Sequence, residues 1–122
     1  MLTIDERRKY KRVNTFCSVS YKDLSPVKVE LFRSVSKNIS EGGIMFSADK
    51  FIPFSCRLIL EFNIPSIAQP VRTVSKVAWI RKTIGNRYDI GSRFVEIKKE
   101  DRFALADYIK TLPSDAATGV SS

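Results

Sequence analysis

The chain has 122 residues, with 21 Lys and Arg against 13 Asp and Glu, and its formal charge is +8 with no histidine. That length suits one domain with its own core, and 43% apolar against 28% charged residues is globular rather than disordered composition. The absence of histidine excludes His-based acid/base work, Ser-His-Asp triads and His-ligated metals. No apolar run approaches the ~20 residues of a membrane span. The opening MLTIDERRKYKR lacks the apolar stretch of a secretory signal. A cytoplasmic protein is therefore expected, with Cys17 and Cys56 as reduced thiols. Two cysteines do not supply a four-ligand zinc site, so neither a metal nor a resident cofactor is expected.

Residues 1–14 form a basic arm carrying Arg7, Arg8, Lys9, Lys11 and Arg12 beside Asp5 and Glu6. Residues 15–98 read as β-structure, with β-branched and aromatic runs between turn signals. The runs are Phe16–Asp23, Val27–Ser40, Gly43–Ala48, Cys56–Asn63, Val71–Arg81 and Arg87–Ile97. Ser25-Pro26, Glu41-Gly42-Gly43, Pro53, Pro65-Ser66 and Gly85-Asn86 separate them. Such short antiparallel strands suggest a closed six-stranded barrel, because closure removes exposed edges. Residues 99–112 switch to a helical period. Leu105, Tyr108, Ile109 and Leu112 share a stripe, Glu100 and Asp101 suit the first turn, and Pro113 stops the helix. Residues 113–122 are small and polar, and a disordered tail is expected there.

Side chains alternate faces along a strand. In the second run the odd positions, Val27 through Ile39, are mostly apolar and are expected inside. Asn38 and Ser40 then share the outer face if the strand stays regular. In the last run Tyr88, Ile90 and Phe94 are expected inside, with Asp89 and Arg93 outside. Val71–Arg81 does not alternate cleanly; a bulge is expected there, and the face of Trp79 is left open.

Two clusters carry chemistry. The arm is either a solvated charged segment or an anion clamp. Guanidinium pairs bidentately with phosphate and with the O6/N7 edge of guanine, and it stacks on bases. Arginine at 7, 8 and 12 thus leans towards a phosphorylated purine ligand. The segment Asn38-Ile39-Ser40-Glu41-Gly42-Gly43 is either a plain hairpin turn or a polar platform. Asn and Ser supply donors and acceptors, and Gly43 permits close approach to the main chain.

Together the clusters resemble the PilZ domain, a bacterial receptor for cyclic di-GMP. The family pattern is RxxxR in an N-terminal loop followed by (D/N)xSxxG. Here these are Arg8-Lys9-Tyr10-Lys11-Arg12 and Asn38-Ile39-Ser40-Glu41-Gly42-Gly43. Val74–Trp79 and Tyr88–Phe94 resemble the family's late strands, so the likeness spans about residues 5–112. It implies a six-stranded antiparallel barrel with a C-terminal helix. It further implies that Arg8 and Arg12 grip guanine and phosphate, that Asn38 and Ser40 hydrogen-bond the ligand, and that Gly43 shapes the turn. Arg7 stands where the family often has an arginine for a stacked ligand dimer, which implies two molecules per site. Trp79, Arg81 and Arg93 are secondary ligand-binding candidates. The function implied is a non-enzymatic cyclic di-GMP receptor, with the arm folding over the barrel on binding and an unknown protein signalled in trans. Two alternatives stay open: a basic barrel for single-stranded nucleic acid, which the Asn38/Ser40/Gly43 cluster disfavours, and a nucleotide-independent adaptor.

Overall fold

The computed structural model describes residues 12–24, 31–65 and 67–112. Arg7 and Arg8, most of the arm, Val27, Val29 and the expected tail lie outside the described residues. The strands are β1 (Val13–Asn14), β2 (Ser18–Asp23), β3 (Phe32–Ile39), β4 (Gly43–Ala48), β5 (Arg57–Phe62), β6 (Val71–Lys82) and β7 (Tyr88–Ile97), followed by helix α1 (Lys99–Lys110). All pairings are antiparallel. The sheet order is β1-β3-β2-β5-β6-β7-β4, and a β3–β4 pairing closes β2–β7 into a six-stranded barrel. The short β1 lies against the end of β3, pairing Val13 with Ile39 and Asn14 with Asn38. No helix among the described residues is long and apolar enough to cross a membrane.

Alternation fills the core. Val19 and Tyr21, Ile44 and Phe46, Leu58, Leu60 and Phe62, Val71 and Val77, and Ile90 are all buried. Leu105 and Ile109 of α1 pack into the same cluster, with Tyr108 and Leu112 partly buried against it. Burying each large apolar side chain is worth about 1.5–3 kcal/mol, so the helix is held by its stripe. Glu100 and Asp101 sit in its first turn, where the dipole favours negative charge. Cys17 and Cys56 are free thiols, and burial pushes the Cys56 thiol upward, with Asp23 adding to the effect.

The face expected for β3 is wrong over most of the described strand. Phe32, Ser34 and Ser36 turn inward, whereas Leu31 and Val35 are 57% and 49% exposed. Two features explain it. Ser36 is buried because it stitches the N-terminal segment down: its Oγ donates to the Thr15 carbonyl at 2.7 Å and accepts from the Cys17 N–H at 2.8 Å. Lys37 is then an extra residue against β4, since Ser36 opposes Phe46 and Asn38 opposes Met45. That bulge resets the parity, so Ile39 returns to the core. A similar bulge in β6 leaves Ala78 unpaired between Val77↔Ser92 and Trp79↔Gly91.

A candidate ligand site on the outer wall of β4, β6 and β7

The loop from Ser40 to Gly43 is fixed from several sides. Ser40 N–H donates to the Gly43 carbonyl at 2.9 Å, and Phe94 N–H donates to the Gly42 carbonyl at 2.9 Å. The N–H groups of Gly42 and Gly43 donate to Ser40 Oγ at 3.1 and 3.2 Å. The hydroxyl therefore accepts twice, while its own proton reaches the Gly43 carbonyl only at 3.5 Å. Gly43 answers a packing need: a Cβ there would lie 2.1 Å from the Ser92 carbonyl oxygen. Its missing side chain admits the neighbouring strand β7.

The Ala78 bulge aims Trp79 at the outer wall. Its ring lies over Gly91, where an added Cβ would fall 2.1 Å from the indole. Beside it lies a cavity of about 340 Å³, within the size range of small-ligand sites. Its lining includes Arg12, Asn38, Ser40, Gly43, Trp79 and Arg93, all named from the sequence, together with Gly42, Ile44, Met45, Ala78, Gly91 and Ser92. Asn38 reaches it from the β3 end, its Nδ2 donating to Met45 Sδ at 3.2 Å. Arg12 reaches it because β1 anchors the arm on β3 just after that residue. Arg81 does not line the cavity; its guanidinium sits 5.8 Å from the Trp79 ring centroid.

Sequence reasoning missed Asp89 and Lys37. Asp89 occupies the outer wall, as alternation requires, yet its side chain is only 3% exposed. Lys37 Nζ meets one carboxylate oxygen at 2.7 Å and an Arg81 guanidinium nitrogen meets the other at 2.7 Å. Burial alone pushes this carboxyl up. The hydrogen bonds and charges of Lys37 and Arg81 outweigh that and hold it below the ordinary carboxylate range. The alternation of β7 located Asp89, but its burial depends on cations from β3 and β6, which a reading of β7 alone does not contain.

The closed antiparallel barrel thus carries on its outer wall a cavity bordered by Arg12, Arg93, Asn38, Ser40 and Trp79. The chain belongs to the PilZ domain family, whose model matches residues 6–111. PilZ domains are ligand-binding adaptors of the cyclic di-GMP receptor type rather than enzymes. The chain is similar to the structure of the Bacillus subtilis inhibitor of motility, MotI/DgrA, at 24% identity and a TM-score of 0.75. That match covers 91% of this chain and 56% of the other, so the chain spans little more than half of that relative. It is also similar to the PilZ domain of YcgR from Escherichia coli, solved with c-di-GMP, at 18% identity and a TM-score of 0.66 over 95% of this chain and 98% of that one. At these identities both likenesses show the fold. No match was found among curated protein sequences.

Proposed function

We propose that the chain binds cyclic di-GMP in the cavity beside Trp79 and, in the bound state, presents a changed surface to a partner protein. One observation carries this reading. Arg12, which closes the RxxxR motif, and Asn38, Ser40 and Gly43 of NxSxxG border a single cavity although β2 and most of β3 separate them in sequence. The ligand of the YcgR domain adds support, since that domain shares the fold.

The parts fit a dianionic bis-guanine ligand. Arg8 and Arg12 supply forks for phosphate and for a guanine edge. The Ser40 hydroxyl, already accepting two N–H groups, has its proton for a ligand acceptor. Asn38 offers both a donor and an acceptor, Trp79 a stacking face, and Arg93 a further cation. Arg7, which precedes the RxxxR motif in sequence, would serve a second, stacked molecule. The net charge of +8 draws the anion in at long range, and the fixed donors select it. The output is a population shift rather than a chemical step.

Trp79 is the chain's single tryptophan, so fluorescence reports directly on this wall. Cyclic di-GMP should give a saturable change, with calorimetry giving the stoichiometry. Arg8→Ala and Arg12→Ala should each weaken binding about tenfold, because a good bidentate contact is worth roughly 1–3 kcal/mol. Ser40→Ala should weaken it as well, through the lost hydroxyl donor and the release of the Gly42 and Gly43 N–H groups it holds. No heat and no fluorescence change would favour a nucleotide-independent adaptor. Stronger binding of a single-stranded oligonucleotide would favour the nucleic-acid barrel.

A further inference from the structure

We infer that the opposite wall of the barrel is a docking trough for an extended, acidic segment of a partner protein. In the closed order β3-β2-β5-β6-β7-β4, strands β2 and β5 lie across the barrel from β7 and β4. Their outer face holds a trough of about 580 Å³, larger than the cavity beside Trp79.

The trough follows from the register. One cross-strand row reads Arg33, Ser20, Glu61, Arg72, and the next sets Lys22 beside Ile59. Ser18 and Ser20 are short and lie on β2, with long side chains from β3, β5 and β6 on either hand. The serines therefore form a floor and the arginines form walls. A six-residue strand such as β2 runs about 20 Å, which matches about six residues of extended peptide.

The charges lining this trough are uncommitted among the described residues. Lys37 and Arg81 are bound to Asp89, and Arg87 to Asp49. Lys22, Arg33, Arg72 and Glu61 make no ion pair or side-chain hydrogen bond among the described residues, although Glu61 and Arg72 oppose each other across β5–β6. Unpaired cations around a trough complement carboxylates. Leu31, Ile59 and Pro70 add apolar lining. The lining has no aromatic ring on which a base could stack, which disfavours nucleic acid. The backbone of β2 is already paired on both sides, so the occupant is held through side chains rather than as an added strand. This inference does not depend on what binds beside Trp79.

The test uses the isotope-labelled full chain and a synthetic peptide of alternating Glu and Leu with blocked ends. Saturable amide shifts should concentrate at Ser18, Ser20, Arg33, Glu61 and Arg72. Arg33→Gln with Arg72→Gln should weaken the binding about tenfold while the circular dichroism spectrum stays unchanged; Arg33→Glu with Arg72→Glu should abolish it. The inference is overturned if no saturable shifts appear, or if they spread evenly or map to the Trp79 wall. It is also overturned if a charge-matched oligothymidine binds the trough equally well. Sedimentation of the protein alone provides the last check. Self-association that the charge reversals abolish would assign the trough to a second copy.

Discussion

The two outer walls of this barrel are built from the same strand chemistry and end in opposite states. On the wall of β2 and β5 the pairings with β3 and β6 run without a register shift. Side chains there alternate strictly, and Lys22, Arg33 and Arg72 make no ion pair among the described residues. On the wall of β4 and β7 the pairings shift register three times, once at Val95 towards the end of β7 and twice at the bulges of Lys37 and Ala78 beside the site. These last two break the alternation at the site. They bring Lys37 onto a buried carboxylate and lay Trp79 over Gly91. The bulged wall has its groups fixed before any ligand arrives, which lowers the ordering cost of binding a small rigid molecule. The regular wall offers adaptable charge, which suits a flexible partner. Register irregularity, rather than composition, separates the two.

The largest test of that contrast is Gly43→Ala. Its Cβ would meet backbone, the Ser92 carbonyl oxygen at 2.1 Å, and backbone cannot swing aside. The β4–β7 pairing must shift, and a loss of about 3 kcal/mol is expected in urea denaturation. Ser20→Ala on the regular wall should change stability by under about 0.5 kcal/mol. Comparable losses at both positions would erase the distinction between a fixed wall and an open one.

Next in size is Asp89→Asn. The carboxylate is buried while Lys37 and Arg81 are partly exposed, so its removal frees two cations that water can solvate. Losing two charge-assisted hydrogen bonds should cost about 1–3 kcal/mol. The folded-state pKa of Asp89 lies below its ordinary value. The stabilisation is therefore complete above the unfolded carboxylate pKa of about 3.9, and it disappears as the pH falls through the lower folded value. Denaturation midpoints measured from pH 6 down through pH 3 should show the variant losing less stability than the parent over that acid limb. Parallel curves would mean that Asp89 is not the linked group.

These residues also mark how far the sequence could be read. The six barrel strands, barrel closure and the helical stripe of Leu105 and Ile109 were legible, because alternation and a change of period leave direct traces; the two-residue β1, within the expected arm, was too short to leave one. The clustering of Arg12, Asn38, Ser40 and Gly43 was legible through the family motifs. The face of β3 was not, since the single extra residue at Lys37 reverses parity and nothing local announces it. Trp79 was ambiguous for the same reason at Ala78. Asn38 does reach the outer wall, but by way of the bulge rather than along a regular strand. The role expected for Gly43, close approach to the main chain, proves to be filled by strand β7. Asp89 shows the remaining limit: its direction follows from its own strand, while its burial is made by residues on two others.

A smaller effect on stability, with a sharper reading of the site, comes from Gly91→Ala. The new methyl would overlap the indole at 2.1 Å, but here the obstacle is a half-buried side chain that can rotate away. A cost of about 1 kcal/mol is expected. The displaced ring should become more exposed, giving a red-shifted emission that iodide quenches more readily. Affinity for cyclic di-GMP should fall with the shift if the stacking face of Trp79 serves the ligand. An unchanged affinity alongside a shifted spectrum would remove Trp79 from the contact set and leave the site to Arg12, Asn38 and Ser40.

The smallest expected effect is Arg33→Gln with Arg72→Gln on the regular wall. Neither guanidinium has an ion-pair partner among the described residues, so stability should move by no more than about 0.5 kcal/mol. Removing two positive charges lowers the long-range attraction for a dianion, but salt screens charges beyond about 8 Å at physiological ionic strength. Cyclic di-GMP affinity should therefore drop slightly at low salt and converge with the parent as salt is raised. That convergence separates a wall acting only through its field from one that touches the ligand. A loss that persisted at high salt would mean that the two walls are mechanically coupled through the barrel. Occupancy of the trough would then change occupancy of the cavity, and by linkage the reverse would hold with equal strength.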